Sequence, residues 1–356
     1  MKIRFISLLA ILTLLWACYA APQVSYSNSQ ESTVNQWLIE FRTNEAKLQL
    51  TMRYRRERDS GFSFSNTGFG IALDQLIGLT REQVMSSGTN VRFQLKRDAG
   101  TFNFEGWFKE GNGSGHFTFS PSSSFASELA RQGFGKPTDE QLLSLAMSDT
   151  GFAFINELKA QGYDTATVEQ LVRMGNHGVS LEYLQGLKAM GYSVKTTDLV
   201  VRMKDHGVSL NFIRELTGLG YTNLNPDELI RTRDHGVTAN YINEFIAAGY
   251  NRSSLDEWIM LRDHGVSTSF IAELKDLGYV RLPLEDLRRM KDHGVSSGFI
   301  KELKELGYSN LAVEQLVRLR DHGVSASYIR RMKERGFADL TLDEYIRLRD
   351  RGEREE

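Results

Sequence analysis

The sequence predicts an α+β chain, a small antiparallel β domain followed by an all-α solenoid of two-helix repeats, each 29 residues long. Three observations lead there. Gly133, Gly162, Gly191, Gly220, Gly249, Gly278, Gly307 and Gly336 recur every 29 residues, each followed by Tyr or Phe, and so strict a period marks stacked supersecondary units. His177, His206, His235, His264, His293 and His322 form a second lattice of the same step, each followed by Gly-Val and then Ser or Thr. Upstream of both, Val91, Phe93 and Leu95 alternate with Arg92, Gln94 and Lys96, the pattern of a half-buried strand.

Composition narrows the function classes. Of 356 residues 41% are apolar and 25% charged, a balance that builds a core. Lys plus Arg numbers 43 against 45 acids, so the net charge of -2 offers no general attraction to nucleic acid or to an anionic membrane. The single Cys excludes both a disulfide framework and a thiolate zinc site, which need sulfurs in pairs. A zinc-protease H-E-x-x-H, a phosphate-cradling Gly loop with Lys, and a G-x-S-x-G elbow are all missing from the sequence, which points away from an enzyme.

In chain order, residues 1–20 read as an export signal: Lys2 and Arg4 precede an apolar stretch from Phe5 to Ala17, too short for a bilayer span. Cys18, Tyr19 and Ala20 suit cleavage before Ala21. The alternative treats Leu15-Trp16-Ala17-Cys18 as resembling a lipoprotein box with Cys18 lipidated, although Trp16 is bulky where that box usually carries a small residue. Export therefore makes the chain periplasmic or secreted, with a membrane contact only through a lipidated Cys18. Residues 21–35, rich in Ser, Gln and Asn, read as a flexible leader.

The β-rich domain spans 36–118. Asp98, Ala99 and Gly100 turn the strand of Val91–Lys96 into a second, which carries Phe102, Phe104, Trp107 and Phe108. Asn112 and Gly113 are expected to supply the next tight turn, after which His116 to Phe119 returns. Trp37–Arg42 and Lys47–Arg55 are expected to join the sheet, and Asp74–Met85 to form a short helix. The aromatic cluster, with Phe117 and Phe119, reads as core rather than as a carbohydrate or peptide platform.

The repeats fill 119–350. In 206–234, Ser209 is an N-cap, and Phe212, Ile213 and Leu216 share a helical face. Gly220 closes helix A in a left-handed cap with Tyr221 folding back. Asn225 and Pro226 open helix B, Leu229 and Ile230 face inward, and His235-Gly236 stop it. The unit over 119–147 keeps Phe125, Leu129, Gly133 and Phe134 but lacks His-Gly-Val-Ser, as a degenerate N-terminal cap would. Residues 351–356 are a charged tail in which Arg351-Gly352 replaces His-Gly.

Three rows carry candidate chemistry. Glu169, Asp198, Asp227, Asp256, Glu285, Glu314 and Asp343 each stand four residues before an Arg, Met260 being the exception; this spacing predicts ion pairs within each helix B, with an anion-binding stripe as the other use of the arginines. Asp205, Asp234, Asp263, Asp292 and Asp321 each precede a His in the last turn of helix B. An acid there opposes the helix dipole and requires a compensating base, backbone N–H or cation. Helix A positions that change from unit to unit, Gln185, Arg214, Asn243, Ala272, Lys301 and Arg330, are where a partner can be read piece by piece.

The string Asp292-His293-Gly294-Val295-Ser296, leading to Phe299-Ile300, Glu302-Leu303 and Gly307-Tyr308, resembles repeats in exported proteins of soil bacteria. It is similar to the extracytoplasmic tails of membrane zinc peptidases of the β-lactam-sensor type, and Phe104–Phe108 with Gly115–Phe119 resembles the module often ahead of them. The resemblance implies an envelope-side sensing or interaction module and brings no catalytic residues, because the peptidase zinc motif has no counterpart here. The expected function is a non-enzymatic scaffold that takes a protein or peptide along the variable helix A row, without a cofactor. The alternative is a periplasmic metal-binding or buffering protein that uses His177, His206, His235, His264, His293 and His322 with Asp205, Asp234, Asp263, Asp292 and Asp321.

Overall fold

A computed structural model describes residues 35–41, 47–58, 61–163, 166–338 and 340–352. The export signal with Cys18, the leader up to residue 34 and the tail from residue 353 lie outside the described residues. The chain divides into two compact units, the first ending at Gly151 and the second beginning at Phe152.

In the first unit, β1 (Gln36–Glu40), β2 (Leu48–Arg58), β3 (Gly61–Ile71), β4 (Leu76–Ile77), β5 (Thr89–Arg97), β6 (Gly100–Lys109) and β7 (Asn112–Pro121) form an antiparallel sheet in the order β3-β2-β1-β7-β6-β5-β4. The alternation read from Val91 to Lys96 is that of β5, whose Val91, Phe93 and Leu95 are buried. Two residues, Glu110 (φ +49°) and Gly111 (φ +84°), make the β6–β7 turn. Asn112 and Gly113, expected there, already belong to β7. Gly113 is needed for another reason: a Cβ would lie 2.5 Å from the Phe108 ring.

The sheet curls over its apolar face. Trp37 on β1 stands 5.2 Å from Phe93 on β5 between ring centroids, although two strands separate β1 from β5 and neighbouring strands lie about 4.8 Å apart. Trp37 donates its indole N–H to the Glu105 carbonyl at 3.2 Å. It lies across the paired Gly106 and Gly115, where a Cβ would come within 2.7 and 2.8 Å of the indole. Phe102, Phe104, Phe108 and Phe117 are buried as expected, whereas Trp107 has the opposite parity and is 47% exposed.

Two departures from expectation have local causes. The helix expected over Asp74–Met85 shrinks to a 3-10 turn at Leu73–Gln75 and one turn, α1 (Arg81–Val84). Gly78, at φ +92°, breaks the helical path, and Leu76 is drawn into pairing with Leu95 on β5. Strand β3, unread in the sequence, pairs along the full length of β2; its Ser, Asn and Gly content suits an edge strand with little to bury. Two helices, α2 (Ser123–Arg131) and α3 (Asp139–Met147), complete this unit, with α3 packed on β6 and β7. The division at Gly151 thus groups the 119–147 helices with the sheet.

The second unit is a helical repeat. Its A helices are α4 (Phe152–Gln161), α6 (Leu181–Ala189), α8 (Leu210–Gly218), α10 (Ala239–Ala247), α12 (Thr268–Asp276), α14 (Ser297–Glu305) and α16 (Ala326–Glu334). Its B helices are α5 (Val168–Asn176), α7 (Thr197–Asp205), α9 (Pro226–Asp234), α11 (Leu255–Asp263), α13 (Leu284–Asp292), α15 (Val313–Asp321) and α17 (Leu342–Asp350). Each is too short to persist alone in water. They stack like on like, α4 against α6 and α5 against α7, and so on through the unit.

The boundaries follow from capping chemistry. The Ser209 hydroxyl accepts the Phe212 N–H at 3.1 Å, and the side-chain Oδ1 of Asn225 accepts that of Glu228 at 2.9 Å with Pro226 in the first turn. At the end of α8, Gly220 takes φ +85° and Tyr221 donates its N–H back to the Leu216 carbonyl at 3.0 Å, a Schellman closure. Helix B closes identically: Gly236 is at φ +68°, and the N–H of Val237 meets the Thr232 carbonyl at 3.1 Å while its side chain is fully buried.

Candidate interaction surface

Three of the repeated rows are spent on holding neighbouring helices together. The first joins His to Asp. Nδ1 of His206, at the end of α7, lies 2.7 Å from Oδ1 of Asp234, at the end of the next helix B, and His235 and Asp263 meet at 2.7 Å. His177 with Asp205 and His293 with Asp321 close at 2.5 Å, His322 with Asp350 at 2.8 Å, and His264 pairs with Asp292. Every rung spans 28 residues. The acid in the last turn of helix B is therefore compensated by the imidazole that ends the preceding helix B, a base the sequence reading did not name.

The start of the row carries the same logic: the first slot for an acid is Asn176, and the position one repeat before His177 is Ser148, so no imidazole of the lattice stands upstream of it.

The second row corrects the expected pairing within helix B. Arg231 meets Asp256 of the next helix B at 2.7 Å and Arg318 meets Asp343 at 3.1 Å. Arg173 with Asp198, Arg202 with Asp227 and Arg289 with Glu314 repeat the contact. Stacking brings the base closer to the next unit's acid than to the acid one turn away. Where Met260 replaces the base, Glu285 turns to Arg288, which also reaches Asp292 at 2.8 Å. Hydrogen bonding from Arg288 holds the Glu285 carboxyl below the usual carboxylate range.

The third row joins helix B to the helix A before it. The cation two residues before each His but the first, His177, covers an aromatic ring: Lys204 over Tyr183, Arg233 over Phe212, Arg262 over Tyr241, Lys291 over Phe270 and Arg320 over Phe299, at 4.8 to 5.5 Å from the ring centre. The Gly-Tyr tyrosines add ties across units, with the Tyr221, Tyr279 and Tyr308 hydroxyls donating to the carbonyls of Ser253, Leu311 and Leu340.

Against these occupied rows, Gln185, Arg214, Asn243, Ala272, Lys301 and Arg330 are all exposed. They hold one register on α6, α8, α10, α12, α14 and α16, successive members of the A stack. With packed helices about 8–10 Å apart, the row runs on the order of 40–50 Å. Gln185 reaches Glu157 only at 3.4 Å, and Arg214 bonds Asn211 on its own helix at 3.2 Å. These side chains vary in charge and size and perform no repeated packing task.

In the His row each imidazole Nδ1 and its carboxylate face one another. Among the described residues no group of three or more His, Cys, Asp or Glu side chains converges, and no helix there is long and apolar enough to cross a membrane. No protein-family model, curated protein or solved structure matches the chain.

Proposed function

We propose that the chain is a non-enzymatic, exported scaffold or sensing module that binds a protein or peptide along the stacked A helices. One observation carries the reading. The repeated rows are consumed by contacts between neighbouring helices, whereas the row from Gln185 to Arg330 is exposed, in register and changes from each unit to the next. A solenoid with a constant frame and a changing exposed row reads an extended partner segment by segment. The resemblance of the repeats to envelope-side interaction modules supports the same reading.

The test is position-dependent capture in the native envelope. A photo-reactive residue at 214, 243, 301 or 330 should cross-link one common partner, identified by mass spectrometry. The same probe at Asp198 or Asp227 on the B stack should not. Capture that is equal from both stacks, or absent from all four A positions, would overturn the reading.

A further inference from the structure

The helix A row is broken at one place. Between α10 and α12 lies a cavity of about 510 Å³ floored by Ala247, Ala248, Ile271 and Ala272 and rimmed by Lys275, Val280 and Arg281. The apolar departures from the repeat gather around it. Val280 is 62% exposed where the same register carries Ser193, Thr222, Asn251 and Ser309, with Ala338 in the last unit. Ile246 is 40% exposed where other units carry Lys159, Lys188, Lys275, Lys304 and Lys333, with Thr217 in one. Ala272 is the one small apolar residue in the variable row.

Arg281 is the second observation. Its backbone is left-handed, as at the equivalent Asn223 and Asn310 with φ +59° and +57°, whereas the equivalent Val194 and Arg252 are not. Asn visits that region readily and a long side chain does not. Arg281 is nevertheless held there at φ +53°, with its guanidinium over Gly249, where a Cβ would lie 3.0 Å from Nε. Among the described residues no carboxylate or carbonyl meets Arg281 or Lys275. The acid on the rim, Glu244, is turned to Asn240 and Thr268, both at 2.7 Å. Two cations beside an apolar floor, one kept at a conformational cost, match a ligand that joins a carboxylate to a hydrophobic arm.

We infer that this cavity takes the C-terminal residue of a peptide, its carboxylate between Lys275 and Arg281 and an aliphatic or aromatic side chain on Ala247, Ala248, Ala272 and Val280. The inference rests on the scaffold reading above and names the chemistry of one segment of the partner. An internal Asp or Glu would bring the same charge without an apolar side chain on its own Cα, so the free chain terminus is the occupant that uses both halves of the site.

Fluorescence anisotropy on the full chain tests it with a labelled hexapeptide ending in Leu as the free acid. The same peptide amidated, one ending in Ser, and an amidated one with an internal Glu are the controls. The free-acid Leu peptide should bind saturably, amidation should weaken it at least tenfold, and the Ser ending several-fold. R281N installs the residue that two sister units carry at the same left-handed position, Asn223 and Asn310, so its melting temperature should hold or rise while affinity falls at least tenfold. V280S should weaken the Leu peptide several-fold. Equal binding of the amide or of the internal-Glu peptide, no saturable binding of the free acid, or undiminished affinity in R281N would each overturn the inference. Cross-linking from 214, 301 and 330 that persists in R281N would show that only this inference, and not the scaffold, had failed.

Discussion

An aspartate in the last turn of a helix is unfavourable by itself, because it adds negative charge where the backbone carbonyls already present it. Asp234 is tolerated because His206, at the end of the preceding helix B, approaches within 2.7 Å. The pair is exposed, so it contributes only about 0.2–1 kcal/mol, and less at high salt. Asp234→Asn should therefore lower stability by about 0.5 kcal/mol. Asn176→Asp should also destabilise, by roughly 0.3–1 kcal/mol, since it adds the charge without an upstream imidazole. Both substitutions move charge in opposite directions yet are expected to act in the same direction. Val237→Ala, which empties a fully buried site, should cost more than either, about 2 kcal/mol. Urea midpoints at low salt and at 1 M NaCl measure all three. An Asn176→Asp protein as stable as the parent would remove the imidazole ladder as the reason for the aspartates.

Helix A is tied to its neighbours through its tyrosines, and this makes the helical repeat sensitive to alkali. Tyr241 lies buried against Phe245 and Trp258 and donates its hydroxyl to the Val266 carbonyl at 2.9 Å. Burial pushes that hydroxyl up from its ordinary 10.0 to about 12, and Tyr163 and Tyr183 move in the same direction for the same cause. An acid whose folded value is raised contributes stability that is fully present below the unfolded value. That contribution is lost as pH rises from about 10 through about 12. Helical circular dichroism during urea unfolding should show stability falling over this interval, with a shallower fall in Tyr241→Phe. A parent whose stability is flat from pH 9 to 12 would contradict the assignment. The helices themselves were legible in the sequence because their ends are written in residues with local effects: Ser209, Asn225, Gly220 and Gly236 act within four positions of where they stand. The partners of Arg231 and His206 were not, since a contact across 25 or 28 residues exists only after the units stack. Strand β3 escaped for a related reason, its pairing with β2 being set by a neighbour rather than by its own apolar content.

The two compact units differ in how stability is distributed. The first is built around one core: β1 sits between β2 and β7, and Trp37 on β1 meets Phe93 on β5 and Phe108 on β6. Helix α3 belongs to that unit, with Leu142 and Leu145 buried and Arg97 bonded to Asp149 at 3.1 Å just beyond it. The second unit is open-ended, each helix meeting mainly its own kind one repeat away, so its stability is close to a sum over adjacent units. Where the chain is cut should therefore matter. A fragment ending at Gly151 should melt cooperatively, whereas one ending at Pro121, which keeps every strand but lacks α2 and α3, should expose the apolar face, bind a hydrophobic dye and lose its sharp transition. In the fragment that starts at Phe152, removing one repeat at a time from the C-terminal end should lower the melting temperature in graded steps rather than abolish folding at once. Calorimetry of the two β fragments and of the shortened repeat series decides the matter. If the fragment ending at Pro121 melts as sharply as the one ending at Gly151, α2 and α3 are not part of the β unit, and the division at Gly151 loses its physical basis.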